Sequence, residues 1–510
     1  MAGDLLLGID IGTYSSKGVL CRPNGEVVAT ATIEHDLSLP RTGWAEHDPD
    51  NTWWGEFVGL TRAMLGQGFS GDDVKAVAVS AIGACVLPVD REGNALRQGI
   101  LYGIDTRATE EIDWLNAHFG EQPMFDLSGM ALTSQAIGPK ILWMKNNEPE
   151  VYAKAHRFIA ASSYIVLKLT GEFVMDHHTA SYYNPLYDLR GLRWDPRFAG
   201  PIVELDRLPK LLWATEIAGH VTPEAAAATA LAVGTPVTAG TVDAAAEAIS
   251  VGVVEPGDMM VMYGTTMFFI HVTSAPVPDQ RMWSTAYVIP GTYSIDGGMS
   301  TTGALTRWFR DQLGQPEMAA EAAGGPNAYA ALAQMAASVP PGSEGLICLP
   351  YFAGERTPIN DPDARGMYVG LTLTHTRGHL YRASLEGTGY GVRHNLETMD
   401  AMGASPKRLV AVGGGAKNPL WLQIVCDASG VPQDVPERTI GASYGDAFLA
   451  GWATGLVDGI PALKRDWVVL AEQYKPRSEE AAIYAQYYPI YRSLYESTKT
   501  QMHQLADLGR

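Results

Sequence analysis

The chain has 510 residues, 46% of them hydrophobic and 18% charged, which is enough apolar sequence for the cores of about two or three domains. Its formal net charge at pH 7 is −19, from 37 Lys and Arg against 56 Asp and Glu. This charge argues against nucleic acid or an anionic membrane surface as the main partner, because both are bound through clustered cations. An anionic small molecule stays compatible with it, since backbone N–H groups can hold phosphates locally.

The cysteine pattern and the N-terminus indicate a reducing compartment. Four cysteines stand singly, without the CxxC spacing of a zinc ribbon, at Cys21, Cys85, Cys348 and Cys426. The first residues, MAGDLLLGIDIG, lack the basic start of a signal peptide, and no run of about 18 apolar residues occurs. We therefore expect a cytoplasmic protein without a membrane partner.

The predicted elements follow an α/β pattern. Three antiparallel strands are expected in the first forty residues, with a turn at 23–25. Helical stretches such as 51–65 then alternate with β-rich runs such as 74–83. Helix-rich sequence fills most of 107–233, so the fold class is α/β.

A composition break at VGVVEPGD (251–258) marks a boundary between two predicted domains, 1–253 and 254–510. The second domain starts as the first does, with a β run, a Gly-Thr pair and a second β run. This echo indicates two halves built on one β-hairpin plan, although Gly-Thr after a strand is also an ordinary turn. Further helices are expected at 330–340 and in a C-terminal tail from about 478.

The first motif that can carry chemistry is GIDIGTYSSKG (8–18). A strand that ends near Asp10 and turns at Gly12 and Thr13 brings one carboxylate and several N–H groups to a hairpin tip. Such a tip can hold Mg²⁺ through water, together with the phosphates that accompany it. The same residues also fit a plain hairpin with Asp as a turn former.

The second motif is GTPVTAGTVDAAAEAIS (234–250). Asp243 should lie at or just inside the N-terminus of an Ala-rich helix, where the helix dipole favours an ionised carboxylate that can accept a hydroxyl proton. The alternative is that Asp243 or Thr241 merely caps the helix.

The third motif is LVAVGGGAKNPLWLQIVCDASG (409–430). Its three glycines between a strand and a helix fit either a nucleotide-binding turn or a generic strand-to-helix turn. The dinucleotide fingerprint is incomplete, because Asn418 stands where its last glycine belongs. P-loop and HExxH motifs do not occur, and we interpret the pair His177-His178 as an exposed loop doublet, not a metal site.

In this order, the motifs resemble the FGGY family of carbohydrate kinases, which belongs to the actin-like ATPase superfamily. The most specific match is GMYVGL (366–371), followed after seven residues by HLYRASLE (379–386), which fits the family's C-terminal signature. The N-terminal signature is partly present in PKILWMKNNEPE (139–150), although Ile137 departs from it. The resemblance covers about residues 5–455.

The resemblance implies two actin-like ATPase (ribonuclease H-like) lobes with a cleft between them, the N-terminal lobe binding sugar and the C-terminal lobe binding ATP. It implies an enzyme that transfers phosphate from Mg²⁺-ATP to a sugar or polyol hydroxyl, with Asp243 as catalytic base. Asp10 would hold Mg²⁺. The residues expected to bind the nucleotide are Gly12, Thr13, Gly264, Thr265, Thr266, Gly413, Gly414, Gly415 and Asn418.

For the sugar, the loop LYGIDTRA (101–108) resembles the W-N-D-x-R loop of xylulokinases, with one extra residue. Tyr102, Asp105 and Arg107 occupy its aromatic, acidic and basic positions and are expected to bind substrate. Xylulokinases place a Met-His pair after the strand at 74–80, where this chain has small residues including Ala84, which we also expect in the sugar pocket. The predicted substrate is therefore a ketopentose, a related polyol or a sugar acid.

Three alternatives stay open beside this interpretation. One is xylulokinase proper, another an actin-like ATP-driven switch, and the third a sugar sensor without catalysis. Retention of both Asp10 and Asp243 favours an enzyme, because a binding module has no need of a base. The resemblance also makes a homodimer plausible.

Overall fold

The computed structural model describes residues 3–509, in which helices and strands alternate along most of the chain. The strands are β1 (Leu5–Ile11), β2 (Ser15–Cys21), β3 (Val27–Glu34), β4 (Glu46–His47), β5 (Val74–Ala81), β6 (Leu87–Val89), β7 (Gly99–Ile100), β8 (Arg157–Ile159), β9 (Val174–Asp176), β10 (Tyr187–Asp188), β11 (Arg193–Trp194), β12 (Lys210–Leu212), β13 (Ile217–His220), β14 (Pro236–Thr238), β15 (Thr241–Val242), β16 (Asp258–Tyr263), β17 (Met267–Thr273), β18 (Trp283–Ala286), β19 (Tyr293–Met299), β20 (Ile347–Leu349), β21 (Met367–Val369), β22 (Arg408–Val412), β23 (Gln433–Pro436) and β24 (Leu470–Tyr474). The helices are α1 (Glu56–Leu65), α2 (Thr109–Phe119), α3 (Glu121–Ser128), α4 (Ile137–Asn147), α5 (Pro149–Lys154), α6 (Ala161–Thr170), α7 (His177–Ser181), α8 (Pro223–Thr229), α9 (Asp243–Ser250), α10 (Gly303–Leu313), α11 (Gln315–Ala322), α12 (Ala328–Ala337), α13 (Arg377–Ala401), α14 (Pro419–Ser429), α15 (Ala442–Ala453), α16 (Gly459–Ala462) and α17 (Ser478–Leu508).

The described chain divides into two compact units. The first contains the residues up to Pro256 together with Val272–Ser294 and Ile440–Val469. The second contains Gly257–His271, Ile295–Thr439 and the residues from Leu470 onward. Two segments of the predicted range 254–510 therefore cluster with the first unit. Within residues 3–509, every helix is too short or too polar to cross a membrane.

The main sheet of the first unit has the strand order β13-β14-β5-β1-β2-β3. Strands β1, β2 and β3 pair antiparallel, and β1 pairs with β5 in parallel. The apolar residues of β1 and β5 are buried against those of helices α1 and α6 in one hydrophobic core, as Leu7, Ile9, Val77 and Val79 illustrate. The three antiparallel strands expected at the N-terminus are thereby confirmed.

The second unit repeats this strand plan. Its strands run in the order β19-β17-β16-β22-β23-β24. The hairpin β16–β17 is antiparallel and β22 pairs with β16 in parallel, as β5 does with β1. A parallel neighbour and then an antiparallel edge strand complete both sheets. The echo between the two Gly-Thr hairpins thus extends to six strands of each sheet.

Several element boundaries follow the sequence pattern and others differ. Helix α9 begins at Asp243 and α17 begins at Ser478, as predicted. The helix expected over 51–65 has its α-helical part only from Glu56, because a wider π-helical segment at Pro49–Gly55 precedes it. The helix expected over 330–340 ends at Ala337, since Pro340 and the residue before it leave the helical conformation.

Helix α15 lies directly on strand β1, and glycines make this approach possible. A Cβ on Gly8 would stand 1.9 Å from the carbonyl oxygen of Ser443 and 2.5 Å from the backbone nitrogen of Ala447. On the helix side, a Cβ on Gly445 would stand 2.0 Å from the carbonyl oxygen of Ala246 in α9. Only glycine fits at both places, so α15 is held against β1 and α9 by backbone contact.

We expect Gly8→Ala to destabilise the protein by about 1–3 kcal/mol, because the added methyl must push α15 away from β1. The measurement is the midpoint of thermal unfolding. Gly200→Ala is the matched control, since a Cβ there meets nothing within 4 Å and should change stability by less than about 0.5 kcal/mol. Equal midpoints for the two variants would contradict the tight packing of α15.

Candidate active site

Asp10 lies one residue before the end of β1, with a polar neighbour on each side. In β2 the residue opposite it is Lys17, and in β5 it is Ser80. Ser80 has Thr241 of β15 as its partner on the other side. Strands β1, β2, β5 and β15 therefore meet at one place in the first unit. Thr241 lies two residues before Asp243 in the chain, so α9 begins next to this place.

The turn after β1 is closed by hydrogen bonds. The backbone N–H of Gly12 donates to the carbonyl oxygen of Ser15 at 3.1 Å. The hydroxyls of Thr13 and Tyr102 lie 3.4 Å apart, and His47 Nε2 donates to the Thr13 carbonyl at 3.2 Å. This turn is half-buried, as is the side chain of Tyr102, so the structure brings Thr13 and Tyr102 together as neighbours.

Asp10 belongs to a group of carboxyls in the first unit. Ser80 Oγ lies 3.2 Å from Asp10 Oδ1 and 2.7 Å from Asp446 Oδ2. Burial raises the pKa of Asp10 well above its ordinary value, and the charges of Asp243 and Glu247 raise it further. Burial does the same to the pKa of Asp446, which is 0% exposed. These carboxyls therefore act on one another, and an added cation would stabilise them.

Asp243 is the first residue of α9, where its Oδ1 accepts the backbone N–H of Ala244 at 2.7 Å. Burial raises the pKa of Asp243 to about 6, and the N–H bonds and the nearby imidazole of His178 hold it from rising further. One turn later on the same helix face, burial raises the pKa of Glu247 to about 7, against the lowering effect of Lys17. A carboxyl with a pKa near 6 is ionised at neutral pH and can still take up a proton.

A buried lysine holds the backbone of the loop that carries Tyr102. Lys140 of α4 is 1% exposed, and its Nζ donates to the carbonyl oxygens of Leu101 at 2.6 Å and Tyr102 at 2.8 Å. Burial lowers the pKa of this lysine to about 8. Burial of the phenol raises the pKa of Tyr102, and the negative charge of Asp243 raises it further, against the lowering effect of the Thr13 hydroxyl.

Asp105 and Arg107 form a buried pair within the same loop. Arg107 Nη2 and Nε donate to the Asp105 carboxylate at 2.6 and 2.9 Å, and Arg107 Nη1 donates to Glu46 at 2.8 Å. The backbone N–H of Ala45 donates to Asp105 at 2.7 Å, and the guanidinium stacks 4.0 Å from the ring centre of Trp44. Both side chains are thus occupied by protein groups and hold the loop in shape.

The segment that replaces the Met-His pair of xylulokinases is packed into the protein. Ala84 and Cys85 are both 0% exposed and belong to hydrophobic clusters of the first unit. A Cβ on Gly83 would stand 1.9 Å from a side-chain carbon of Val242. Cys85 donates its thiol to the carbonyl of Ile82 at 3.3 Å. This segment therefore presents no free side-chain hydrogen bond, and Ala84 is a packing residue in this structure.

In the second unit, the hairpin β16–β17 turns at Gly264, Thr265 and Thr266. The N–H of Gly264 donates to the carbonyl of Thr266 at 3.1 Å, and both threonines are exposed. Helix α10 begins on this turn, because the N–H groups of Gly303 and Ala304 donate to the carbonyls of Gly264 at 3.0 Å and Thr265 at 2.9 Å. The turn is thus held at one end by a helix and leaves its threonine side chains accessible.

The three glycines at 413–415 form the strand-to-helix turn between β22 and α14. Gly413 has a φ of +90°, which favours glycine, and a Cβ there would stand 2.8 Å from a carbonyl of β16. Gly414 is exposed, and a Cβ there would meet nothing within 4 Å. Asn418 caps α14 by accepting the N–H of Trp421 at 3.2 Å. The predicted strand-to-helix turn is therefore present, and its backbone is accessible at Gly414.

Sequence reasoning missed three polar residues of the first-unit site. Ser80 is part of a buried β run, and Glu247 and Asp446 were not singled out. Glu247 could have been found, because it stands four residues after Asp243 and so shares its helix face. Asp446 carries no local signal, since it reaches Ser80 only through the packing of α15 on β1.

The interpretation of His177-His178 as an exposed loop doublet is wrong. Both residues lie in helix α7 and are 8% and 1% exposed. His178 Nδ1 donates to the carbonyl of Ala286 at 2.8 Å, and Asp176 just before the pair accepts the hydroxyl of Thr241 at 2.9 Å. The pair is thereby fixed close to Asp243. The sequence pattern missed this because helix α7 is a single short turn.

Comparison with known proteins agrees with this geometry. Residues 5–250 match the N-terminal domain of the FGGY family of carbohydrate kinases, and residues 259–454 match its C-terminal domain. The chain belongs to the FGGY family of carbohydrate kinases. It is therefore an enzyme that phosphorylates a small sugar with ATP, and the family typically uses a divalent metal ion.

Individual relatives match over nearly their whole length. The chain is 30% identical to a gluconokinase of Bacillus subtilis, over 99% of this chain and 98% of the relative, and 31% identical to a xylulose kinase of Escherichia coli, over 96% and 99%. The crystal structure of xylulose kinase from Rhodospirillum rubrum superimposes with a TM-score of 0.90 at 31% identity, covering 98% of this chain and all of that one. The expected α/β fold of actin-like ATPases is confirmed.

We expect Arg107→Met to destabilise this FGGY kinase by about 3–5 kcal/mol, because it leaves the buried Asp105 carboxylate without its paired cation and leaves Glu46 with Arg97 alone. Arg197→Met is the matched control: Arg197 pairs with Asp195 at the same spacing and at 3.0 Å, but its side chain is 56% exposed. That change should cost less than about 1 kcal/mol. The midpoint of thermal unfolding tests the pair, and a small effect of both changes would show that the Asp105–Arg107 pair does not hold the loop.

Proposed function

We propose that this kinase phosphorylates a hydroxyl of a ketopentose, a related polyol or a sugar acid, with Asp243 as general base and Asp10 as the carboxylate for Mg²⁺. The observation that carries the proposal is the position of Asp243 at the start of α9. There its carboxyl has a pKa of about 6 and lies in the same group of acids as Asp10.

In the proposed reaction, Asp243 orients the substrate hydroxyl and receives its proton as the new bond between that oxygen and the γ-phosphorus forms. The bond from the γ-phosphorus to the bridging oxygen breaks at the same time, and ADP leaves. Phosphoryl transfer of this kind depends mostly on positioning and charge neutralisation, so a base of modest strength is sufficient. Asp243 fits this role because it is ionised at neutral pH and can still accept a proton.

The chemistry around Asp10 fits a magnesium ion that arrives with phosphates. Within residues 3–509, no three His, Cys, Asp or Glu side chains converge to hold a metal by themselves. Mg²⁺ commonly keeps several waters and is held by one or two carboxylates plus substrate phosphates, which matches Asp10 at the end of β1. When bound, the ion neutralises phosphate charge, and in this chain the same charge relieves the repulsion among Asp10, Asp243 and Glu247.

For the nucleotide, we propose contacts from both Gly-Thr hairpins and from the glycine turn. Gly12 and Thr13 stand next to Asp10 in the first unit. In the second unit, the exposed Thr265 and Thr266 can donate to phosphate oxygens. The open backbone at Gly414, ahead of Asn418 and the N-terminus of α14, suits the adenosine side of the nucleotide.

For the sugar, Tyr102 supports the proposal best among the predicted contacts. Its hydroxyl is close to Thr13 and its phenol senses the charge of Asp243, whereas Asp105 and Arg107 shape the loop from within. The side chains of the segment at 83–85 offer no hydrogen bond to a substrate, since Ala84 and Cys85 are buried and the Cys85 thiol is bonded to Ile82. We therefore propose that the substrate differs from D-xylulose in configuration, length or oxidation state, which includes the sugar acid that the name of the gluconokinase relative implies.

A substrate panel tests the proposed class. ADP release would be measured with Mg²⁺-ATP and ketopentoses, ketohexoses, pentitols, glycerol, erythritol and aldonic acids including D-gluconate. We expect one ketopentose other than D-xylulose, one polyol or one aldonic acid to raise the rate at least about tenfold over basal hydrolysis. Saturable turnover confined to D-xylulose would contradict the substrate proposal and leave the kinase activity standing.

Asp243→Asn tests the base. The amide can still accept the N–H of Ala244, so α9 keeps its first bond, but it cannot take up the hydroxyl proton. We expect sugar-dependent kcat to fall by about 10³-fold or more, with ATP affinity within about threefold of the unchanged protein. If Asp243 merely caps the helix, kcat stays near normal, and that result would remove Asp243 from its role.

A further inference from the structure

The hydroxyl of Ser80 stands between two carboxyls that cannot both accept from it. Its oxygen is 2.7 Å from Asp446 Oδ2 and 3.2 Å from Asp10 Oδ1. A serine hydroxyl has one proton to donate and two lone pairs to accept with. One of the two contacts is therefore a hydrogen bond only if that carboxyl is protonated and donates to the serine oxygen.

The surroundings of Asp446 favour its neutral form. Its side chain is 0% exposed, and its Oδ1 is buried without a hydrogen-bond partner. Among residues 3–509, no Lys, Arg or His side chain forms an ion pair with it. An ionised carboxylate buried in this way is very costly, whereas a neutral carboxyl that donates from Oδ2 leaves only a carbonyl oxygen unpaired.

The surroundings of Asp10 differ from those of Asp446. Burial and the charges of Asp243 and Glu247 raise the pKa of Asp10, but a cation acts against them. Asp10 is half-buried and lies opposite Lys17 in the β1–β2 register, and the charge of this lysine lowers the pKa of the aspartate against the effect of burial. Asp446 has no such cation. Of the two carboxyls on Ser80, Asp446 is thus the one with fewer groups to stabilise its ionised form.

The position of Asp446 does not depend on flexible contacts. Gly8 of β1 and Gly445 of α15 allow backbone-to-backbone approach on both sides of the residue. Asp446 therefore reaches Ser80 from a helix that cannot move closer or retreat without disturbing the sheet.

We propose that Asp446 is a positioning residue of this kinase: a neutral carboxyl that donates to Ser80 and so commits the only hydroxyl proton of Ser80 to Asp10. Ser80 would then hold Asp10 through Oδ1, which would leave the other oxygen of Asp10 for the magnesium of the phosphate donor. This inference rests on the proposed role of Asp10 in metal binding. The chain Asp446 to Ser80 to Asp10 satisfies every donor that it contains.

Infrared difference spectroscopy of the metal-free protein at neutral pH tests the state of Asp446. Subtracting Asp446→Asn from the unchanged protein should reveal the carbonyl stretch of a protonated acid. Asp176→Asn is the control, because Asp176 accepts only from donors, the N–H groups of His178 and Thr179 and the hydroxyl of Thr241, so its loss should remove a carboxylate band. A carboxylate band lost on Asp446→Asn would overturn the proposal.

The magnesium dependence of turnover tests what Asp446 does. The amide of Asp446→Asn can donate to Ser80 as the neutral acid does, so we expect half-saturating Mg²⁺ within about threefold of the unchanged protein. Ser80→Ala removes the bond to Asp10 and should raise half-saturating Mg²⁺ about tenfold, with a smaller change in kcat. A rise for Asp446→Asn as large as that for Ser80→Ala would show that the charge of Asp446 is needed, and would overturn the proposal.

These tests separate the inference from the proposed function. If Asp10→Asn left the magnesium dependence unchanged, the role proposed for Asp10 would fail. The infrared measurement needs neither metal nor turnover, so it decides the protonation of Asp446 even in that case.

Discussion

Strand β5 carries the first-unit site, because β1 and β15 pair with it in parallel on opposite sides of one residue, Ser80. Neighbouring strands lie about 4.8 Å apart, so residues far apart in the sequence come within about 10 Å of each other at this sheet edge. Asp10 comes from the first strand of the fold, and Asp243 follows the strand on the other side. The helix that begins at Asp243 and the turn after Asp10 are both fixed by this pairing.

The same pairing has an electrostatic cost. It concentrates the carboxyls of Asp10, Asp243, Glu247 and Asp446 in one unit, with Lys17 as the cation that acts on two of them. Each buried carboxylate raises the pKa of its neighbours, so the group is stable only where protons, hydrogen bonds or an added cation reduce the charge. Perturbed groups of this kind are typical of functional sites, and here the remedy for the repulsion, a divalent cation, is also what the reaction needs.

Local pattern was enough to predict much of the fold. Alternating apolar residues and turn signals predicted β1, β2 and β3, and the Ala-rich run after Asp243 predicted α9. The segment Ile440–Val469 could not be assigned in this way. It joins the first unit because Gly8 leaves room for α15 on β1, and the clearance beside a glycine is a property of the packed chain that no local pattern reports.

The site residues likewise divide into those that the local sequence predicts and those that only the packed chain reveals. Asp10, Thr13 and Asp243 belong to motifs in which the turn or helix start itself positions the side chain, so spacing was informative. The Asp-x-Arg spacing was not informative about role, because the chain contains it five times, at 105–107, 188–190, 195–197, 279–281 and 363–365. Asp105 and Arg107 form a fully buried pair, whereas the arginine of the Asp195–Arg197 pair is mostly exposed. Burial, which spacing does not encode, decides which pair supports a loop.

The two hairpins show how one strand plan can serve two tasks. When the Gly-Thr pairs are aligned, Met262 of β16 takes the position that Asp10 has in β1. The second hairpin therefore has no carboxylate at its tip, and its exposed groups are backbone and the hydroxyls of Thr265 and Thr266. A carboxylate repels phosphate unless a cation stands between them, whereas hydroxyls and N–H groups can contact phosphate directly. One charged residue thus distinguishes the hairpin proposed to hold the metal from the hairpin proposed to contact the phosphate chain itself.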